Sequence, residues 1–293
     1  MNVNTIRKPD WLKVKLPDSP IYGRVLKIFR KYNLHTVCEE ALCPNIAECW
    51  GSGTGTLMIL GEVCTRSCRF CAVKRGNPMG KIDESEPLRV AMAVKELGLK
   101  YVVVTSVCRD DLPDGGASHF AKTIKSIKEN CPNIVIEALI PDFRGNINSI
   151  REVVEANPDV ICHNVETVRR LSSIARDRRA SFQLSIDVLR SVKRLNPSIT
   201  TKTSIMLGLG ETEYDVIETL KLIRDANVDI VFMGQYLRPS RDKLHLPVKE
   251  YIKPSVFEKY RKIAESMGFK LVVAGPLVRS SYRAAEFFVK NNT

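Results

Sequence analysis

The sequence lacks several features that define whole classes of protein. No apolar run approaches the ~20 residues that span a bilayer. The N-terminal segment MNVNTIRKPDWLK has neither the apolar core nor the small-residue cleavage site of a secretory signal, and it is a poor transit peptide. Low-complexity blocks, RNA-binding motifs and alternating aromatic and basic residues are also absent. These absences predict a cytoplasmic protein that binds neither membrane nor nucleic acid.

Cysteine, in contrast, is abundant and clustered. Six of the nine cysteines fall within residues 38–71 of the 293-residue chain. A secreted disulfide scaffold would be shorter and would spread its cysteines along the chain. Clustered thiols in a reducing compartment indicate a metal site, whereas Cys108, Cys131 and Cys162 are expected to be unligated.

The chain is also basic, with 45 Lys and Arg against 33 Asp and Glu and a formal net charge of +12. A basic surface is compatible with an acidic partner such as nucleic acid, membrane or an acidic protein. The basic residues are scattered through helical stretches rather than gathered in a tail. Charge alone therefore leaves the partner open.

Short apolar runs alternate with helical patterns from residue 57 onward. Runs buried on both faces predict parallel strands joined by crossover helices. Six such repeats predict an α/β fold, a TIM-like, partial (β/α)6 barrel whose chemistry lies at the carboxyl ends of the strands. The predicted strands cover residues 57–63, 101–106, 134–139, 160–163, 203–207 and 230–233, with a short final strand at 270–274 and a terminal helix.

The chain divides into three predicted parts. Residues 1–56 form an N-terminal extension with a helix from about Ile21 to Tyr32, and residues 57–268 form the barrel. Residues 269–293 form a C-terminal extension. Two barrel helices carry clear boundary signals: one has Pro87 near its start and Gly98 past its end, and the other follows Thr212 as N-cap.

The first cysteine triplet is Cys64, Cys68 and Cys71, spaced C-x3-C-x2-C directly after the first predicted strand. Three thiolates on one loop can hold three corners of a [4Fe–4S] cube and leave one iron open for a ligand. A zinc knuckle is the alternative, but zinc fingers usually use C-x2-C pairs. With Phe70 before the last cysteine, the motif resembles the radical S-adenosylmethionine (SAM) signature, which implies that SAM binds the open iron and is cleaved to a 5′-deoxyadenosyl radical.

The second triplet, Cys38, Cys43 and Cys49, is spaced C-x4-C-x5-C and ends fifteen residues before the first triplet begins. Alone it could be three ordinary buried cysteines of a folded arm. Beside a cluster-binding triplet, it indicates a second, incomplete set of cluster ligands. Such a cluster would either relay electrons or donate sulfide.

Together with RSSY at residues 279–282, the two triplets resemble the lipoyl synthase family. Ala274, where serine is expected, and Arg178, where relatives have proline, are departures, and the second makes the alignment around Arg176 less secure. Further segments that resemble the family are KPDWLK (8–13), DDLPDGG (110–116), HNVET (163–167), GQYLRPS (234–240) and GPLVRSSY (275–282).

The resemblance implies that Ser281 is the fourth ligand of the second, auxiliary [4Fe–4S] cluster. Oxygen is a harder ligand than thiolate and is easier to lose from iron, which suits a cluster dismantled for its sulfur. The alternative is that Ser280 and Ser281 cap a helix over residues 282–289.

The implied reaction inserts two sulfur atoms, donated by the auxiliary cluster, at C6 and C8 of a protein-bound octanoyl-lysine, with two SAM consumed. The implied partners are the octanoylated lipoyl-carrier domains of 2-oxoacid dehydrogenases and the glycine cleavage H protein, with reduced ferredoxin or flavodoxin as electron donor. Carrier domains of this kind tend to be acidic, which fits the basic chain. A monomer is expected.

SAM contacts are predicted at strand ends, from Ser106, Asn164, Glu166 and Arg176. The glycines of residues 110–116 would allow close approach of the backbone, and residues 206–212 resemble the G-x-G-E-T turn of other radical SAM barrels. The strand-end His163 is expected to be hydrogen-bonded in its loop rather than to bind a metal.

Three other functions fit part of the pattern. A methylthiotransferase acting on transfer RNA also pairs two clusters and suits the charge, but it is expected to carry a further RNA-binding domain after the barrel. A biotin-synthase-like enzyme lacks the N-terminal triplet. A non-catalytic, zinc-stabilised RNA-binding protein explains thiols and charge but not the barrel repeats.

Overall fold

One eight-stranded sheet organises the part of the chain described by this computed structural model, residues 7–14, 19–52 and 55–282. Strand order follows chain order; the first pair is antiparallel and every later pair is parallel. Within these residues the last strand does not pair with the first, so the barrel is open. The strands are β1 His35–Thr36, β2 Thr56–Ile59, β3 Tyr101–Ser106, β4 Val135–Leu139, β5 Val160–Cys162, β6 Thr200–Leu207, β7 Ile230–Gln235 and β8 Leu271–Gly275.

Helices connect the parallel strands and cover the outside of the sheet, as the alternating pattern predicts. Their ends follow local capping chemistry: Gly98 ends one helix in the left-handed conformation at φ 68°, and Thr212 and Asp215 form a capping box at the start of another. The helices are α1 Pro20–Lys31, α2 Val37–Glu40, α3 Ile46–Gly51, α4 Glu86–Leu97, α5 Ala117–Asn130, α6 Ile147–Glu155, α7 Arg169–Ala175, α8 Phe182–Leu195, α9 Glu213–Asp225 and α10 Pro254–Ser266.

The base of the barrel interior holds a buried ion pair. Lys202 of β6 donates to both carboxylate oxygens of Glu137 on β4 at 2.8 and 3.0 Å. Tyr101 donates its hydroxyl to the same carboxylate at 2.5 Å, and the Lys202 ammonium lies 4.3 Å from the ring centre of Phe232. Tyr101 begins β3 and Lys202 is the third residue of β6, so this network lies toward the amino ends of the strands.

The predicted α/β architecture, a partial TIM-like barrel, is confirmed. The first barrel strand is shorter than predicted, because Leu60 and Gly61 take positive φ angles and the chain leaves the sheet after Ile59. β6 begins at Thr200 instead of Thr203. Residues 283–293, which contain most of the predicted terminal helix, lie outside the described residues. Within the described part of the chain, none of the helices combines the length and apolarity required to cross a membrane.

Candidate active site

The loop after β2 carries Cys64, Cys68 and Cys71 at the carboxyl end of the sheet. Its sulfur atoms face backbone donors. The N–H of Arg66 lies 3.4 Å from Cys64 Sγ, and the N–H of Asp177, in the turn after α7, lies 3.3 Å from Cys68 Sγ. Donors of this kind stabilise thiolates, which are the form that binds metal. These donors partly offset the cost of burying two of the three cysteines as thiolates.

Arg66, between the first two cysteines, fixes the loop to the barrel wall. Its side chain is 4% exposed and pairs with two carboxylates, Asp110 at 2.9 Å and Asp142 at 2.7 Å. A guanidinium that binds two carboxylates in a buried site is held in one orientation. The only sign of this role in the sequence is the position of Arg66 inside C-x3-C.

Electrostatics differ among the three thiols. A hydrogen bond from the Cys108 thiol lowers the pKa of Cys64 to about 6. Burial raises the pKa of Cys71 to about 12 and also raises that of Cys68. Binding of a cation to the buried thiols must therefore displace protons, which makes metal loading dependent on pH.

A cavity of about 250 Å³ opens above this loop. All three cysteines line it, and so do all four residues predicted from the sequence to contact SAM, Ser106, Asn164, Glu166 and Arg176. Its wall also includes Val37 and Ala41 beside the N-terminal triplet and Ser280 beside Ser281. The remaining lining combines the apolar residues Met58, Phe70, Val73, Val107, Leu139, Ile140, Pro141 and Ala180 with Arg66, Arg75, Thr105, Cys108, Asp142 and His163.

Two buried polar atoms in this wall have no partner among the described residues. They are Ser106 Oγ and Arg176 Nε. The other end of the Arg176 guanidinium is anchored, since Nη1 donates to Ser185 Oγ at 2.7 Å and to the Ser181 carbonyl at 3.1 Å. Unpaired buried donors are rare in proteins and mark places where a ligand completes the hydrogen bonding. A ligand with carboxylate and hydroxyl groups, such as SAM, fits this wall.

Glu166 occupies the same wall in a strained conformation. Its φ is 72°, in the left-handed region that non-glycine residues seldom adopt, and its backbone bridges to β6 through Ile205. Burial raises the pKa of its carboxyl group, while the positive charge of Arg176 and a hydrogen bond from Asn164 oppose that shift. Such strain persists where the surroundings fix it, and it is concentrated at functional sites.

The loop at residues 110–116, also predicted to approach SAM, packs against other residues of the barrel. An added Cβ at Gly115 would lie 3.1 Å from Phe143, and one at Gly116 would lie 2.4 Å from Leu60. These two glycines therefore allow the loop to pack against its own barrel. None of residues 110–116 lines the cavity.

The turn at residues 206–212 is likewise closed on itself. The Glu211 carboxylate accepts hydrogen bonds from the N–H groups of Gly208 and Leu209.

Both ring nitrogens of His163 have hydrogen-bond partners, as expected for a structural histidine.

The second triplet lies next to the C-terminal motif. Thr56 is the first residue of β2, and its backbone opposes the rise that burial causes in the pKa of the Cys38 thiol. Its hydroxyl donates to Ser281 Oγ at 2.8 Å. Burial raises the pKa of the Cys43 thiol, and the positive charge of Arg279 opposes that shift. Burial raises the pKa of Cys38 to about 11.

Two further contacts join these chain segments. Asn45 donates its side-chain amide to the Leu277 carbonyl at 2.7 Å, and Tyr282 donates its hydroxyl to Glu48 at 2.9 Å. Cys49 lies between Asn45 and the end of α3, half-buried against the core. The structure thus gathers Cys38, Cys43, Cys49 and Ser281 in one region, although Ser281 is distant in sequence.

Sulfur spacing distinguishes a cluster from a single zinc ion. Three thiolates on one zinc, with Zn–S bonds of about 2.3 Å, must lie within roughly 4 Å of one another. Among the described residues, neither triplet brings its three sulfur atoms within 4.8 Å of one another. As they lie in the described residues, the two triplets are therefore not arranged around one zinc ion each.

Two family models match this chain. The family model described as the Radical SAM superfamily matches residues 58–223, and that described as the N-terminal domain of lipoyl synthase matches residues 1–43. Lipoyl synthase from Myxococcus xanthus is 54% identical over 98% of this chain and 95% of its own length. That from Thermus thermophilus is 53% identical over 97% and 87%. The chain belongs to the lipoyl synthase family.

Solved structures agree on the fold. Streptococcus suis SuiB, bound to S-adenosylmethionine in its crystal structure, matches with a TM-score of 0.56 at 9% identity over 78% of this chain and 53% of its own. HemN from Escherichia coli, a radical SAM coproporphyrinogen III oxidase, matches with a TM-score of 0.52 at 13% identity over 72% and 52%. This chain thus spans about half of each protein. Membership of the lipoyl synthase family implies [4Fe–4S] clusters and SAM as cofactors.

Replacement of Ser106 by alanine is expected to weaken SAM binding about five- to tenfold, the effect of one lost hydrogen bond. The free energy of unfolding of the apoprotein should not fall, because the hydroxyl has no protein partner among the described residues. Ser172→Ala is the matched control: its hydroxyl on α7 is also buried and unpartnered there. Equilibrium dialysis of the anaerobic, reconstituted protein against labelled SAM measures the change. Equal affinities for the Ser106→Ala variant and the unmodified chain would remove Ser106 from the SAM site.

Proposed function

We propose that this chain inserts two sulfur atoms at C6 and C8 of an octanoyl group amide-linked to a lysine of an acyl-carrier protein. When bound, SAM and the two clusters supply the hydrogen-abstracting radical and the sulfur. We assign Cys64, Cys68 and Cys71 as ligands of the SAM-binding cluster. The proposed ligands of the auxiliary cluster are Cys38, Cys43, Cys49 and Ser281.

One observation carries the two-cluster assignment. A single cavity is lined by Cys64, Cys68 and Cys71 and also by Val37, Ala41 and Ser280, which flank the second triplet and Ser281. A cluster on the second set of ligands would therefore lie at the edge of the cavity that the first set lines. The apolar part of the wall matches an eight-carbon acyl chain, which offers nothing to hydrogen-bond.

The protein's own groups have defined tasks in this proposal. The Arg66 network orients the loop of the SAM-binding cluster, and Arg176 presents a fixed positive charge to the SAM carboxylate. Ser106, Asn164 and Glu166 supply further polar contacts from neighbouring strand ends. The apolar part of the cavity wall would limit contact of a reactive carbon radical with water.

The partners follow from the same assignment. We propose that the octanoylated carrier domains of 2-oxoacid dehydrogenases and the glycine cleavage H protein are the substrates. Reduced ferredoxin or flavodoxin is the proposed electron donor, and a cytoplasmic monomer is the proposed form. The excess of basic residues favours encounter with acidic carriers.

The decisive experiment is mass analysis of an octanoyl-lysine carrier peptide after anaerobic incubation with the reconstituted chain, SAM and reductant. A gain of two sulfur atoms is the expected result. If the peptide gains no sulfur and a transfer RNA incubated in its place gains one methylthio group, the assignment is redirected to a methylthiotransferase. Iron analysis should give about eight irons per chain, since two cubes hold four each. Retention of zinc without SAM cleavage would contradict the enzymatic function.

A further inference from the structure

Thr56 contacts one of the four proposed ligands of the auxiliary cluster and lies in the strand next to a second. Its hydroxyl donates to Ser281 Oγ at 2.8 Å, and its strand pairs with β1, which leads into the helix that carries Cys38. These ligands come from the two ends of the chain, and Thr56 and Ser281 are 225 residues apart in sequence. The residue that joins them belongs to neither motif.

The position of Thr56 is rigid. It is 5% exposed and begins β2, where it pairs in register with Val103 of β3. The next residue, Leu57, pairs with Thr36 of β1, and Thr36 caps the helix that carries Cys38. Cys38 and the Thr56 hydroxyl are therefore fixed to one sheet, whereas Ser281 follows a turn beyond the last strand.

We propose that Thr56 is a positioning residue, whose hydroxyl orients the Ser281 oxygen toward the site of the auxiliary cluster. The serine side chain has three staggered rotamers, and a fixed donor selects among them. This inference rests on the proposed role of Ser281.

The test measures iron release from the full-length chain rather than turnover. Cys64, Cys68 and Cys71 are replaced by alanine, so that after anaerobic reconstitution with iron and sulfide the cluster absorbance comes from the N-terminal triplet. A ferrous chelator is added and the decay of that absorbance is followed. Thr56→Val, which keeps shape and strand preference, is expected to release iron about five- to tenfold faster, the effect of one lost hydrogen bond. Thr56→Ser should release it at the unmodified rate.

Two controls separate positioning from general damage. Thr123→Val removes a buried hydroxyl that donates to the His119 carbonyl at 2.8 Å on α5, and it should leave iron release unchanged. In a Ser281→Ala background, Thr56→Val should add nothing, because a positioning effect requires the group it positions.

Each remaining outcome has one meaning. If Ser281→Ala speeds iron release but Thr56→Val does not, the role of Thr56 is wrong and that of Ser281 stands. If Ser281→Ala has no effect, the ligand role of Ser281 is wrong and this inference falls with it. If Thr56→Ser accelerates release as much as Thr56→Val, or Thr56→Val adds to Ser281→Ala, the effect is structural and the proposal is overturned.

Discussion

Alanine at Cys38, Cys43 or Cys49 is expected to abolish sulfur insertion while SAM cleavage continues. Loss of an outer-shell partner alone typically costs 10–100-fold at a metal site, so loss of a ligand should reduce product more than about 100-fold. SAM cleavage should stay within about twofold, because separate sites act almost independently. The two products, 5′-deoxyadenosine and sulfur-modified peptide, are measured in the same reaction by mass spectrometry.

Cys131→Ala is the matched control for this experiment. Cys131 is a partly buried thiol after α5, and it belongs to neither triplet. Its variant should make normal amounts of both products. Full sulfur insertion by the Cys38→Ala variant would contradict the donor role of the N-terminal triplet, and loss of SAM cleavage in the same variant would indicate that the two sets of ligands are not separate.

The second large effect concerns stability. Lys202→Met leaves the Glu137 carboxylate buried without its cation, and removal of one partner from a buried pair costs about 3–5 kcal/mol. The double replacement Glu137→Leu with Lys202→Met should recover much of this loss, since no uncompensated charge remains. Chemical denaturation of the apoprotein, followed by circular dichroism, gives the free energy of unfolding.

Lys259→Met provides the comparison for an exposed pair. Lys259 pairs with Glu213 at 2.6 Å on the surface, where both side chains are about half exposed. Exposed pairs contribute about 0–1 kcal/mol, so this variant should unfold almost normally. If Lys202→Met and Lys259→Met lower the free energy of unfolding equally, burial of the Lys202–Glu137 pair does not make it more important for stability than an exposed pair.

The sequence predicted the barrel because apolar runs and crossover helices repeat regularly. It also predicted four residues that line the cavity, because strand ends converge in a parallel sheet. It missed the start of β6, where Thr200, Thr201 and Lys202 are polar. Thr201 hydrogen-bonds Asp229, and Lys202 pairs with Glu137. Polar residues can be buried when partners satisfy them, and those partners are distant in sequence.

The same limit applies within the site. The orientation of Arg66 depends on Asp110 and Asp142, which lie on loops after other strands. Both cysteine triplets could be predicted because their spacing is local. The juxtaposition of Thr56 with Ser281 is set by tertiary packing, so the sequence offered only a resemblance to suggest where the fourth ligand lies.

The separation of Thr56 and Ser281 also has a consequence for synthesis of the protein. A ribosome adds about 5–20 residues per second, so the serine follows the N-terminal cysteines by roughly 10–45 s. During that interval the three thiols have left the ribosome, or are leaving it, without the oxygen ligand. Under the proposed ligand assignment, complete ligation of the auxiliary cluster is therefore a late event. The nascent chain then requires a reducing environment to keep those cysteines free until Ser281 has been added.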